Sequence, residues 1–275
     1  MTADKLSAPI GVFDSGVGGL SVAGEILRNL PTESVLYFAD TAHVPYGGRP
    51  LDDVRGFALA ICDFLVENGA KMVAMACNIS SAVALPAARE RHPEIPMIGV
   101  IEPGASAALT TGARRIGVLA TQGTVKSGAY TRAITMSESQ AKVVEVPCPL
   151  FVPLVEAGET ETPEALDAAR EYLSPLADAG CEAVILGCTH YPFLLPALQK
   201  AATELFPASK RPIFVDPAQE TTREIGCLLV RQGIASTASA PSHRYFVSGD
   251  VAHFEERGSF FLGSPISSAQ HITLD

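Results

Sequence analysis

No apolar run in this 275-residue chain reaches the about 18 residues that a membrane-crossing helix needs. The amino terminus, Met1-Thr2-Ala3-Asp4-Lys5-Leu6-Ser7, also lacks the apolar core of a signal peptide, so a soluble, cytoplasmic protein with no membrane partner is expected. Positive charge is scarce too. Against 30 Asp and Glu stand only 20 Lys and Arg, for a net charge of −10 and a pI near 5.1. That balance argues against a nucleic-acid partner, whose phosphates need a basic stripe. An acidic small molecule stays compatible, because donors gathered in a cleft outweigh a distributed net charge.

Two further motifs are missing. Neither Cys-x-x-Cys nor His-x-x-x-His occurs, so zinc would have to be held by dispersed residues such as Cys77, Cys188 and His190, and no metal is expected. The run Gly16-Val17-Gly18-Gly19-Leu20-Ser21 ends in Ser where a dinucleotide fingerprint needs its last Gly, so no nucleotide cofactor is expected. Six cysteines, at 62, 77, 148, 181, 188 and 227, are read as free thiols, since a chain this long needs no disulfide staples.

What the sequence does contain is an alternation of short apolar runs and amphipathic stretches. Strands are expected at 9–13, 35–38, 72–75 and 97–100, with helices at 20–29, 52–67 and 81–91. A second series places strands at 115–120, 142–146, 183–186 and 213–215, with helices at 128–136, 163–179 and 193–205. A helix at 219–232, a strand at 244–248, and a helix start at Gly249-Asp250 followed by a short closing strand complete the pattern. The fold class is α/β, with two similar parallel-sheet domains and the active site in the cleft between them. Ile101-Glu102-Pro103-Gly104 reads as the turn of a first crossing, and Val215-Asp216-Pro217 as the return. The first domain is then residues 1–103 plus 216–275, and the second is 104–215.

Two thiols occupy matching settings. Met72-Val73-Ala74-Met75-Ala76 leads into Cys77-Asn78, and Ala183-Val184-Ile185-Leu186-Gly187 leads into Cys188-Thr189-His190. Each is a strand-length apolar run followed by a thiol and a hydrogen-bonding side chain. Inert core cysteines, a Cys/His nucleophile and a zinc site are the competing readings. A pair of opposed monoprotic bases suits one reaction in particular: inverting a carbon that bears hydrogen, where one base removes the proton and a second acid delivers another from the opposite face. A thiol, with an ordinary pKa of about 8.5, exchanges roles near neutral pH when donors favour the thiolate.

Around the thiols lie candidate donors and acids. Asp14 and Ser15 sit in Gly11-Val12-Phe13-Asp14-Ser15-Gly16, where glycine amides suit an anion or merely let Asp14 and Ser15 cap the next helix. Pro45, Tyr46 and Gly47 follow Ala39-Asp40-Thr41-Ala42-His43-Val44, as a substrate loop or as a plain surface turn. Asn78 and Thr189 are donors for a carboxylate, and Glu156 ends Pro149-Leu150-Phe151-Val152-Pro153-Leu154-Val155-Glu156.

Taken in order, the Asp14-Ser15 loop, Asp40-Thr41 with Pro45-Tyr46-Gly47, Cys77-Asn78, Pro149 through Glu156, and Gly187-Cys188-Thr189-His190-Tyr191-Pro192 resemble the glutamate racemases of the aspartate/glutamate racemase superfamily. The resemblance implies cofactor-independent interconversion of L- and D-glutamate, supplying D-glutamate for peptidoglycan, and a homodimer. It implies that Cys77 takes the α-proton of the D enantiomer with help from Asp14, and Cys188 that of the L enantiomer with help from Glu156 and His190. Asp14, Ser15, Pro45, Tyr46, Gly47, Cys77, Asn78, Cys188, Thr189 and His190 would bind substrate. Ile79 departs from the Thr usual in the family and leaves at most a backbone contact. The alternatives are a racemase of aspartate or another acidic amino acid, and a glutamate-binding regulator without turnover.

Overall fold

The structure is a computed structural model that describes residues 6–137 and 140–274. Residues 1–5, part of the amino-terminal stretch read above as lacking a signal core, lie outside the described residues. The chain divides into two compact units, residues 1–100 with 218–275, and residues 101–217. Among the described residues no helix is long and apolar enough to cross a membrane.

In the first unit β1 (Ile10–Asp14), α1 (Leu20–Asn29), β2 (Val35–Ala39), α2 (Leu51–Glu67), β3 (Met72–Met75), α3 (Asn78–Arg91) and β4 (Met97–Gly99) alternate. Every residue of β1, β2 and β3 is buried, as expected of strands covered on both faces, which is why they read as unbroken apolar runs. Helix α2 meets them with Val54, Ala58, Ile61, Cys62 and Leu65, a stripe at helical spacing, while Asp52 and Asp53 in its first turn complement the positive end of its dipole.

The second unit repeats the grammar: α4 (Ile101–Thr110), β5 (Arg115–Ala120), α5 (Gln122–Ser127), α6 (Ala129–Met136), β6 (Lys142–Pro147), α7 (Phe151–Glu156), α8 (Pro163–Asp178), β7 (Ala183–Gly187), α9 (Leu195–Leu205) and β8 (Ile213–Val215). Thr162 caps α8 by accepting from the Ala165 amide at 3.3 Å, with Pro163 in the first turn, where a missing N–H costs nothing. The chain then returns through α10 (Pro217–Gln232), β9 (His243–Val247), α11 (Val251–Leu262) and β10 (Gln270–His271).

All strand pairings are parallel, in the orders β10-β9-β2-β1-β3-β4 and β6-β5-β7-β8. The fold is therefore α/β with two similar parallel-sheet units, as expected. Each sheet shares one core order, in which the unit's first strand lies between its second and third. The chain reverses direction across the sheet at that first strand, and the carboxyl ends of the first and third strands bracket the crevice where open α/β sheets take ligands.

Some local expectations fail. Residues 101–104, read as a turn, are the first turn of α4, with Pro103 and Gly104 both buried within it. Helix α3 begins at Asn78 rather than at 81, a helix break at Gly128 separates α5 from α6, and residues 151–156 form a short helix despite Pro153. The stretch 191–194 is a 3-10 turn, so α9 starts at Leu195 rather than at 193.

Candidate active site

In the first unit the end of β1 delivers Asp14 and the end of β3 delivers Cys77. Pairing of these strands sets them side by side, and the Ala76 amide donates to the Phe13 carbonyl at 2.9 Å. Asp14, 1% exposed, turns back on its own loop, where Oδ2 accepts from the Gly16 amide at 3.0 Å. Tyr37, fully buried, donates from its hydroxyl to the Gly16 carbonyl at 2.9 Å. Gly19 explains why the loop is glycine-rich. A Cβ there would lie 2.4 Å from the Asp14 Cβ, 2.9 Å from the Ala76 Cβ and 2.9 Å from the Tyr37 hydroxyl. Only a bare backbone lets α1 start this close to the acid.

Cys77 has extended backbone angles and is the N-cap of α3. The thiol there faces the positive end of a 14-residue helix. Asn78 and Ile79 follow in the buried first turn. Ile79 packs with Cys77, Tyr46 and Val54, so the departure from Thr places an apolar wall beside the thiol. Of the hydroxyls that follow, that of Ser81 is engaged within the fold: it donates to the Met75 carbonyl at 2.8 Å and accepts from the Val100 amide at 3.2 Å. Ser80, fully buried, has no hydrogen-bond partner among the described residues.

Tyr46 opens a 3-10 turn, Tyr46–Gly48, and its hydroxyl donates to the Asp40 carboxylate. Burial and Asp40 push the phenol well above its ordinary pKa, so Tyr46 stays neutral. Asp40 is itself 3% exposed and lies next to Asp14 in space, since its amide donates to the Asp14 carbonyl at 3.0 Å. Pro45 is exposed, while Ser15 and Gly47 are half-buried.

In the second unit β7 ends at Gly187, where a Cβ would lie 2.9 Å from the Leu119 carbonyl oxygen. Cys188, Thr189 and His190 follow, all buried. The Cys188 Sγ lies 3.9 Å from His190 Nδ1, and the Thr189 hydroxyl lies 3.4 Å from the same nitrogen. On the far side of the ring, Nε2 lies 2.6 Å from Glu156 Oε1 at the end of α7. A carboxylate there selects the tautomer with its proton on Nε2, leaving Nδ1 as an acceptor facing the thiol.

In the first unit the structure brings Tyr46 and Ile79 against Cys77, with Asp14 on the neighbouring strand end, and in the second it joins Glu156, His190, Thr189 and Cys188. Ser15, Pro45, Gly47 and Asn78 belong to the same first-unit segments. Asp14 and Cys77 in one sheet, and Cys188 in the other, lie at or just past the ends of strands that flank the switch point. Asp40, quoted above only as part of a motif, takes a place among these residues that the sequence did not assign it. Its signal was present: it follows the buried β2 by one residue, much as Cys77 follows the buried β3 by two.

The other thiols lie in different settings. Burial pushes Cys62 up to about 12 and Cys181 up to about 11, and raises Cys148 further still. Such groups stay protonated near neutral pH and do no proton chemistry.

A family model described as Asp/Glu/Hydantoin racemase matches residues 10–225. The glutamate racemase of Desulforudis audaxviator is 44% identical over 273 residues, which cover 96% of this chain and 97% of that one. Among solved structures, glutamate racemase from Francisella tularensis in complex with D-glutamate superposes with a TM-score of 0.91 at 32% identity, covering 98% of this chain and 99% of that one. The Thermus thermophilus glutamate racemase, in complex with β-chloro-D-alanine, gives 0.86 at 41% identity, with 98% of each chain covered. Since the family model spans most of the chain and these relatives match it over nearly its whole length, the chain is an isomerase that belongs to the Asp/Glu/Hydantoin racemase family.

Proposed function

We propose that this chain interconverts L- and D-glutamate without a cofactor, using Cys77 and Cys188 as two monoprotic bases, and so supplies D-glutamate for peptidoglycan synthesis in the cytoplasm. The observation that carries the reading is the repetition itself: in each unit a buried thiol follows within two residues of the third strand, beside the switch point, and glutamate racemases match the chain over nearly its whole length.

In one direction the Cys77 thiolate removes the α-proton of D-glutamate, and the Cys188 thiol donates its proton to the opposite face. The product is L-glutamate, with Cys77 protonated and Cys188 ionised. The reverse reaction exchanges the roles. The α-hydrogen is a very weak acid, so the carbanion-like state needs donors aimed at the substrate carboxylate, for which Asn78 and Thr189 are suited. The two thiols are supported differently. Cys77 sits at a helix N-terminus near Asp14, whereas Cys188 faces the His190 and Glu156 pair.

Incubation with L-glutamate in deuterium oxide tests the reading. Optical rotation is expected to decay to zero while deuterium appears at the α-carbon. Decay with L-aspartate but not L-glutamate would reassign the substrate, and no exchange with either would leave a binding protein.

A further inference from the structure

We propose that Ser248, brought back to the first unit by the final segment, is a positioning residue that holds Tyr46 in place through the Asp40 carboxylate. The proposal rests on the racemase reading above.

The Asp40 carboxylate is shared among three side chains. Its Oδ2 accepts the Tyr46 hydroxyl. His43 Nδ1 lies 2.9 Å from Oδ1 and 3.0 Å from Oδ2. The Ser248 hydroxyl donates to Oδ1 at 2.7 Å. Tyr46 and His43 belong to the same short loop as Asp40 and pack their rings on Phe57 of α2, so their bonds to Asp40 do not tie the carboxylate to the sheet. Ser248 comes from 208 residues away. Its own place is set by strand pairing, since β9 lies beside β2 and the Ser248 amide donates to the Ala39 carbonyl at 3.0 Å. Its hydroxyl also accepts from the Ala42 amide at 2.9 Å, so one side chain pins both the acid and the backbone that follows it. The next residue is bare for the same reason: a Cβ on Gly249 would lie 2.5 Å from Thr41 Oγ1.

Tyr46 sits at the other end of this chain of contacts, 3% exposed and packed with Cys77 and Ile79. A carboxylate with both oxygens engaged has one orientation, and it gives the phenol a single acceptor. Without the Ser248 hydroxyl, Asp40 Oδ1 keeps only His43, a residue of its own loop, and the carboxylate that receives the Tyr46 hydroxyl loses its side-chain bond to the segment after β9. The consequence falls on substrate binding beside Cys77 rather than on the thiols' proton transfer.

The experiment compares Ser248→Ala, Ser248→Thr, Tyr46→Phe and the Ser248→Ala/Tyr46→Phe double variant in the glutamate assay. It also follows backbone hydrogen exchange over residues 41–49. For Ser248→Ala we expect KM to rise roughly three- to tenfold, with kcat changed by less than about twofold, the loss of one modest hydrogen bond. Ser248→Thr, which keeps the hydroxyl, restores KM. In the Tyr46→Phe background Ser248→Ala adds little, because both changes cut the same path. Exchange over residues 41–49 quickens in Ser248→Ala and stays unchanged over β1 and β3. Additive effects on KM, unchanged exchange over residues 41–49, or a uniform quickening across the unit would each overturn the proposal. A wild-type protein that fails to racemise glutamate would overturn the racemase reading instead, and the exchange measurement would still decide the role of Ser248.

Discussion

His190 Nε2 and Glu156 Oε1 lie 2.6 Å apart, joining the end of β7 to the end of α7 within one unit. The imidazole is buried, while the Glu156 side chain is 37% exposed. The carboxylate therefore holds the buried ring from its Nε2 side, while Nδ1 faces Cys188 and Thr189. On the racemase reading proposed above, its contribution is one of alignment, directed through His190 to the Cys188 thiol. Glu156→Gln keeps the shape but weakens a charge-assisted bond, and we expect kcat to fall about ten- to a hundredfold with little change in KM. Steady-state rates in both directions check this. Unchanged kcat in both would remove Glu156 from the mechanism.

The thiols themselves give a sharper test. Cys77→Ala and Cys188→Ala should each depress racemisation at least about a hundredfold, the usual contribution of a positioned acid or base. They should differ in what survives. With Cys188 removed, Cys77 can still exchange the α-proton of D-glutamate, so deuterium enters the D enantiomer without inversion. Cys77→Ala should show the mirror behaviour with L-glutamate. Near-normal turnover in either variant would sink the two-base mechanism.

Both thiol settings were legible in the sequence because the strands before them are buried on both faces and read as plain apolar runs. Less legible was helix α4. Pro103-Gly104 looks like a turn, yet Pro is tolerated in a first helical turn, where its missing N–H has no partner to lose. Gly104 sits in close packing there, since a Cβ would lie 3.0 Å from Pro217 Cγ. The early start of α3 was hidden in the same way, by Asn78, Ser80 and Ser81, residues that disfavour helix interiors but suit a first turn. Contacts between distant residues, such as Asp40 with Ser248, carry no local signal at all. They arise only once β2 and β9 pair.

Lys71 and Glu33 form an ion pair at 2.6 Å with both side chains almost wholly buried, 0% and 3% exposed. Lys71 Nζ also donates to the Leu6 and Ile234 carbonyls, at 2.9 and 2.8 Å, and Glu33 Oε1 accepts from the Ser236 amide at 2.7 Å. Removing one partner strands the other charge in the interior. Lys71→Met should therefore destabilise the fold by about 3–5 kcal/mol, read from the urea midpoint. A loss under about 1 kcal/mol would mean that the remaining carboxylate protonates or reaches water at little cost.

Cys62 predicts a pH dependence of stability. Burial raises its folded-state pKa from 9.0 to about 12. In that window the unfolded chain releases the proton while the folded chain retains it. The stabilisation is thus complete below pH 9 and is lost as the pH rises towards 12. Denaturation midpoints should fall between these limits. Cys62→Ala, whatever it costs at neutral pH, should flatten the decline, and an unaltered slope would assign the dependence to other groups.

Ile79 closes the apolar wall that joins Cys77 to Tyr46 and Val54. Two opposed effects meet in Ile79→Thr. The substitution removes a buried ethyl arm and places a hydroxyl among apolar groups, which should cost about 1–3 kcal/mol of stability. The same hydroxyl lies in the first turn of α3, beside the thiol, where a substrate carboxylate would give it a partner. Binding of substrate then satisfies a group that the free protein leaves unpaired, so glutamate should raise the melting temperature of Ile79→Thr more than that of the wild type. KM should fall by a few-fold, the worth of one net hydrogen bond. Thermal melts with and without saturating glutamate, together with KM in both directions, decide the matter. Lower stability with no added protection by glutamate and an unchanged KM would show that residue 79 serves packing alone.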